Sequence, residues 1–313
     1  VTYRSPRDPK ARMRRVSEVI DCWFDSGAMP FAQWGYPHAP GSKEAFEAAF
    51  PADFISEAID QTRGWFYTLL AESTLVHEGR PYPHPFKTCL VTGHICDEKG
   101  QKMAKQRKNY VEPKVVLDAH GADALRWSFL SQVNPWTSLR FSMDRVADAK
   151  KDFLIRLQNV WSFFVIYANI DSFSAPGAGT DAPPGATRPL LDRWILSELH
   201  LTTRTVTHAL DAYDLLTAAR SLFDFVDRLS NWYVRASRAR FWAHGLGPDK
   251  VNAYLTLHEC LATLSRLIAP FTPFFAEDMH QNLVAGPSKG TAPESVHLCD
   301  YPVCDEALVD EAL

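Results

Sequence analysis

Ten residues, Gly100-Gln101-Lys102-Met103-Ala104-Lys105-Gln106-Arg107-Lys108-Asn109, carry the clearest chemical signal in the chain. Lysines at such spacing can meet negative charge developing on a departing phosphate, and a loop can bring them in only when needed. On composition alone the same run also reads as a solvated, charged turn. Its surroundings decide between the two.

Residues 86–95 (FKTCLVTGHI) predict a strand leading into the run: they are apolar, β-branched and preceded by Pro85. After it, Pro113 opens a helix at a favoured first-turn position, and Gly121 breaks that helix. A second helix is expected over 122–130, with Ala124, Leu125 and Phe129 on its apolar side. Upstream, residues 52–56 predict a short strand and 60–77 a helix, with Trp65, Leu69 and Leu70 on its buried side. Strand, helix, strand, loop, helix is an α/β order, consistent with the last part of a parallel sheet. In such sheets ligands gather at the carboxyl ends of the strands, which is where the lysine run falls.

From about Asp144 strand signals nearly vanish. Helical periodicity runs over 144–169, 188–210, 214–243 and 249–267, predicting an all-α bundle. Leu222, Phe225, Val226, Leu229, Trp232 and Tyr233 form one apolar stripe on the third segment. Gly245-Leu246-Gly247-Pro248 is read as its C-cap and proline stop. Residues 172–187, rich in Pro, Gly and Ala, are expected to be a flexible connection.

A length of 313 residues allows two domains, placed at 1–143 and 144–313. With 46% hydrophobic and 22% charged residues the profile is that of an ordinary soluble globular protein, so the nine Trp and nineteen Phe are expected mostly in the core. A net charge of -4 neither advertises nor excludes nucleic-acid binding, because a basic face can sit on an acidic protein. The six cysteines form no C-x-x-C pair. A metal site at Cys299, Cys304 and His297 is conceivable, but free thiols in a reducing compartment are the preferred reading, with no structural metal. No apolar run approaches the ~20 residues of a membrane span, and nothing at the start resembles a signal peptide, so a cytosolic protein is expected. The chain opens on Val1 rather than Met and enters a charged stretch at once, as a piece of a longer protein does.

Three ordered motifs turn the lysine run into more than a charged turn. Lys102-Met103-Ala104-Lys105, then Asn109-Tyr110-Val111-Glu112-Pro113, then Gly121-Ala122-Asp123-Ala124-Leu125-Arg126 resemble the K-M-S-K-S region of class I aminoacyl-tRNA synthetases. Asp21-Cys22-Trp23-Phe24-Asp25-Ser26-Gly27, and the stretch from Ala52 through Glu57, Asp60 and Gln61 to Gly64-Trp65-Phe66, resemble segments of the isoleucine-specific family. Asn159-Val160-Trp161 and Asn231-Trp232-Tyr233-Val234-Arg235 resemble its anticodon-binding bundle. The fold this implies is the end of a Rossmann-like catalytic domain followed by the helical bundle.

The resemblance further implies that Lys102 and Lys105 contact ATP, bound as its Mg2+ complex, as pyrophosphate leaves. Trp23 and Trp65 would flank the isoleucine side chain, while Glu57, Asp60 and Gln61 would hold the aminoacyl-adenylate. An apolar aromatic wall is what a branched aliphatic needs. Arg235, Arg238 and Arg240 would face phosphates of tRNA(Ile). The sequence also departs from the family. Its H-x-G-H signature, editing insertion and carboxy-terminal extension are absent, and Ala104 and Gln106 stand where hydroxyl or basic residues are usual. The chain alone is therefore expected to lack activity and to need the missing amino-terminal catalytic region. The alternative from another class is a catalytically inactive relative that binds tRNA or a protein partner.

Overall fold

The computed structural model describes residues 2–77, 84–174 and 185–313, which divide into two units, Val1–Gly93 and His94–Leu313. In the first unit a short antiparallel pair, β1 (Thr2–Arg4) and β2 (Arg12–Arg14), precedes three helices, α1 (Cys22–Gly27), α2 (Met29–Ala32) and α3 (Ser42–Ala49). A β-α-β unit follows. Strand β3 (Ala52–Ala58) runs parallel to β4 (Phe86–Thr92), with Ala52 opposite Phe86 and Ala58 opposite Thr92, and α4 (Trp65–Val76) lies between them in sequence. The predicted strand thus ends at Thr92 rather than Ile95. Around Phe46, which is fully buried, the rings of Tyr36, Phe50 and His77 gather at 4.5, 4.7 and 5.0 Å between centroids.

Helix α4 begins later than its periodicity predicts. Ile59–Arg63 form a 3-10 turn, and the helix starts at Trp65, whose N–H donates to the Gln61 side-chain oxygen at 2.9 Å. Its buried side is also rotated. Phe66, Leu69, Glu72 and Ser73 are buried, whereas Leu70, expected inside, is exposed.

The second unit opens with β5 (Ile95–Cys96), which pairs in parallel with β6 (Leu139–Arg140). Between them lie α5 (Pro113–His120), with proline in its first turn as expected, and α6 (Ala122–Gln132). Gly121, at φ +87°, separates the two helices. On α6 the innermost ring is Trp127, stacked on Phe153 at 3.6 Å; Leu125 and Phe129 pack at the edge of the core instead.

The four predicted long helices are all present: α7 (Met143–Ile170), α8 (Leu190–Asp211), α9 (215–242) and α10 (Pro248–Ile268). An additional helix, α11 (273–288), opens on Pro273 and has no counterpart in the sequence reading. Helix α7 is long and apolar enough by composition to cross a membrane, although Arg156, Gln158 and Asn159 interrupt its apolar residues, so no unbroken apolar run reaches that length. Here Val146, Phe153, Leu157, Val160 and Phe164 pack it into the bundle core. The connection predicted over 172–187 lies mostly outside the described residues; its end, Gly185–Thr187, is a 3-10 turn.

Along α9 the predicted stripe holds for Leu222, Phe225, Val226, Leu229 and Tyr233, each fully buried, but Trp232 is 64% exposed. A π turn at Leu229–Val234 inserts an extra residue into the helical repeat, so the buried face continues on Val234, Ser237 and Phe241. The helix ends at Trp242, three residues before the expected glycine cap at Gly245, and Pro248 opens the next helix rather than merely stopping this one. Tryptophan is also less of a core residue than expected. Of the nine, Trp127 alone is buried, and Trp23, Trp34, Trp136, Trp232 and Trp242 are exposed.

Candidate functional site

In the first unit, four of the five residues expected at the amino-acid pocket are joined by α1, the 3-10 turn and the start of α4. Asp21 caps α1 by accepting the Trp23 N–H at 3.1 Å. The Trp65 indole N–H donates to the Ser26 carbonyl at 3.0 Å, fastening α4 to the end of α1. Gly64 sits under the Trp23 ring: a Cβ there would lie 3.2 Å from the indole and 2.6 Å from the Gln61 side-chain oxygen. A side chain there would push the Gln61 oxygen and the Trp23 ring out of their present places. Trp65 is half-buried and Trp23 is 39% exposed. Asp60 is exposed beside them on the turn, and Glu57 is exposed on β3, opposite Val91.

On α4 lies a residue the sequence reading passed over. Glu72 is buried against α1, where a Cβ on Gly27 would fall 2.3 Å from its carboxyl oxygen. Its Oε2 has no hydrogen-bond partner. Burial, with the nearby Asp25 charge adding to it, raises this carboxyl above its ordinary range.

In the second unit the lysine run is an ordered hairpin. Ile95–Asp97 and 101–103 face each other: Met103 N–H donates to Ile95 C=O at 3.0 Å and Asp97 N–H to Gln101 C=O at 2.8 Å. The turn between them closes with Gly100 N–H on Asp97 C=O at 2.9 Å. Lys105–Arg107 form a 3-10 turn, ended by Lys108 at φ +53°. Lys102 and Lys105 are both exposed, with the Lys105 amine 5.7 Å from the Tyr110 ring centroid. Two cavities flank the hairpin. One, of about 690 Å³, is mixed and includes Asp97, Lys99, Lys108 and Asn109 beside Met103 and Phe141; the other, of about 330 Å³, is apolar and includes Ile95, Met103, Val116 and Phe129.

The Gly-Ala-Asp-Ala-Leu-Arg motif docks α6 onto the loop before α11. The Arg126 guanidinium donates to the carbonyls of Phe271 at 3.1 Å and Pro270 at 2.7 Å, while Asp123 accepts the Phe275 N–H at 2.6 Å. The three arginines expected to face nucleic acid separate. Arg235 and Arg238 are exposed on α9. Arg240 instead grips the fully buried Asp192 through two bonds of 2.6 and 2.7 Å, and Asp249 at 3.0 Å. Burial opposes its charge, but the bonds it donates to these carboxylates hold the guanidinium protonated more firmly than usual. Trp232, exposed one turn before Arg235 and 6.3 Å from the Trp194 ring, shares the outer face of α9 with the two free arginines.

Among the described residues no group of three His, Cys, Asp or Glu side chains is arranged to hold a metal. Burial pushes the Cys304 thiol up to about 11 and raises that of Cys299.

A family model described as tRNA synthetases class I (I, L, M and V) matches residues 3–142, and one for the anticodon-binding domain of tRNA ligase matches 192–313. An isoleucine–tRNA ligase of Dehalococcoides mccartyi is 53% identical over 304 residues, which are 96% of this chain and 29% of that protein. One from Clostridium acetobutylicum is 50% identical over 96% of this chain and 28% of its own length. The chain thus spans less than a third of these relatives. In structure it is similar to a leucyl-tRNA synthetase of Agrobacterium radiobacter solved with tRNA and LeuAMS, with a TM-score of 0.74, 19% identity, and coverage of 99% of this chain and 36% of that one. Two family models in the expected order, and relatives at half identity along nearly the whole chain, show that it belongs to the class I tRNA synthetases.

Proposed function

We propose that this chain is the part of an isoleucine–tRNA ligase that supplies the lysine loop, the wall of the amino-acid pocket and the tRNA-binding bundle. In the reaction, the isoleucine carboxylate attacks the α-phosphate of ATP, supplied as its Mg2+ complex. The bond to the β-phosphate breaks, and pyrophosphate leaves with its negative charge. Lys102 and Lys105 meet that charge. The terminal ribose hydroxyl of the tRNA then takes the aminoacyl group and AMP departs. Trp23 and Trp65 give the branched side chain an apolar wall that demands no polar desolvation. Glu57, Asp60 and Gln61 hold the adenylate, with the Gln61 oxygen engaged by Trp65 N–H and its amide left to donate. Arg235 and Arg238 contact tRNA phosphates; Arg240, committed to Asp192, acts by holding α9 in place. The boundary near 143 separates the catalytic part from the bundle, and a reaction of protein synthesis places the enzyme in the cytosol.

The observation that carries this reading is the ordered hairpin with both lysines exposed. The test is a chimera in which this chain replaces the matching 304 residues of the Dehalococcoides mccartyi enzyme. Isoleucine-dependent ATP–pyrophosphate exchange is expected. Lys105→Ala should lower its kcat by about 100-fold, the scale of losing one transition-state contact, with little change in the KM for isoleucine. Exchange driven by leucine or valine instead would overturn the substrate, and an unaltered rate would remove Lys105 from the mechanism.

A further inference from the structure

The lysine hairpin is held by two side chains that do no chemistry themselves. Asn109 reaches back across the loop: its carbonyl oxygen accepts the Ala104 N–H at 3.0 Å. Its amide donates to Asp97 Oδ2 at 2.8 Å and to the Lys102 carbonyl at 3.3 Å. The other Asp97 oxygen accepts the Gln101 N–H at 2.8 Å. Besides the backbone bonds of the hairpin, the Lys102 and Ala104 backbones, which set where both lysines point, thus meet at one amide. That amide hangs in turn on one carboxylate. Bonds from Asn109 first and the Gln101 N–H second lower the Asp97 carboxyl below its ordinary range, so the clasp keeps its charge.

We propose that Asp97 and Asn109 form a clasp that positions the phosphate-binding lysines, ordering the loop before any ligand arrives. Asn109 and Asp97 are positioning residues that act through Lys102 and Lys105. The inference rests on the proposed reaction for its catalytic half but not for its structural half. An ordered loop presents its cations without the entropic cost of fixing them at each turnover.

Two measurements separate the halves. Trypsin cleaves after Lys102, Lys105, Arg107 or Lys108 only when the loop opens. On the 313-residue chain, Asn109→Ala should raise the rate of cleavage there by about 10-fold. The exchanged pair Asp97→Asn with Asn109→Asp keeps three of the four bonds, losing only the donation to Lys102 C=O. It should return most of the protection. In the chimera, Asn109→Ala should lower kcat for exchange by about 10-fold or more while leaving the KM for isoleucine within about 2-fold, and the exchanged pair should recover much of the rate. Unchanged cleavage overturns the clasp. Raised cleavage with an unchanged kcat overturns positioning, as does a loss of rate that the exchanged pair fails to repair. A wild-type chimera with no exchange overturns the proposed reaction and the catalytic half with it, while the cleavage rates still decide the clasp.

Discussion

Two sets of cations in the second unit have opposite fates. Arg240 is enclosed in the bundle with its counter-charge, Asp192, which is fully buried and also accepts the Tyr233 hydroxyl at 2.7 Å. Lys102 and Lys105 stand exposed on a hairpin and the 3-10 turn that follows it, whose internal bonds are made by backbone, Asp97 and Asn109. A cation whose anion is built into the fold is architecture; a cation presented without one is available to an anion from outside. Arg235 and Arg238 fall on the second side of that line although they share a helix with Arg240. Residue type and neighbourhood in sequence do not decide it.

The comparison predicts a dissociation between stability and activity. Arg240→Ala leaves the Asp192 carboxylate buried and unpaired, and should destabilise the chain by about 3–5 kcal/mol. Lys105→Ala should leave the urea midpoint where it was. Equilibrium unfolding in urea of the two variants checks both, and a loss below about 1 kcal/mol for Arg240→Ala would break the contrast. Replacing Asp192 as well, by Asn, should recover part of the loss, because the stranded charge goes with it.

Arg126 lies between the extremes. Its side chain is exposed, and its guanidinium bonds to two neutral carbonyls rather than to a carboxylate. Truncation strands no charge, so Arg126→Ala should cost about 1–3 kcal/mol in the same experiment. A loss as large as that of Arg240→Ala would mean that the α6–α11 junction, rather than the buried ion pair, dominates the unit.

Much of the fold was readable because its signals are local. Pro113 and Gly121 bracket a helix through their own backbone geometry, and four long segments keep the 3.6-residue period for most of their length. What escaped was what depends on distant partners or on a break in that period. The stripe on α9 was followed straight through Trp232 because a π turn leaves no mark on the pattern of apolar residues before it. Leu70 was placed inside by its helical spacing with Trp65 and Leu69, but the partners of α4 select the face of Phe66, Leu69, Glu72 and Ser73. Arg240 was grouped with its neighbours because Asp192 lies 48 residues away. The same holds at the site. The lysines are named by a motif, but the clasp that orders them joins Asp97 to Asn109, which the motif contains only as a flanking amide.

The smallest effect probes a third kind of buried charge, one with no partner. The raised Glu72 carboxyl and the Asp171 carboxyl give opposite signs. Asp171 accepts bonds from the Lys250 amine and then the Tyr254 hydroxyl, both at 2.5 Å, which lower it below its ordinary range. Its contribution to stability is present above the unfolded value and is lost as pH falls through the folded one. Glu72 is raised, so the folded unit binds its proton more tightly than the unfolded chain does. Its contribution is fully present below the unfolded value and is lost as pH rises through the folded one. Glu72→Gln replaces the carboxyl with a permanently neutral group of the same shape. The variant should melt with the wild type at pH 4 and above it at pH 8, with the gap opening as the wild-type carboxyl ionises. Thermal melts of both proteins across that range decide it. A constant gap would mean that Glu72 has a partner for its charge after all, and would move it to the side of Arg240.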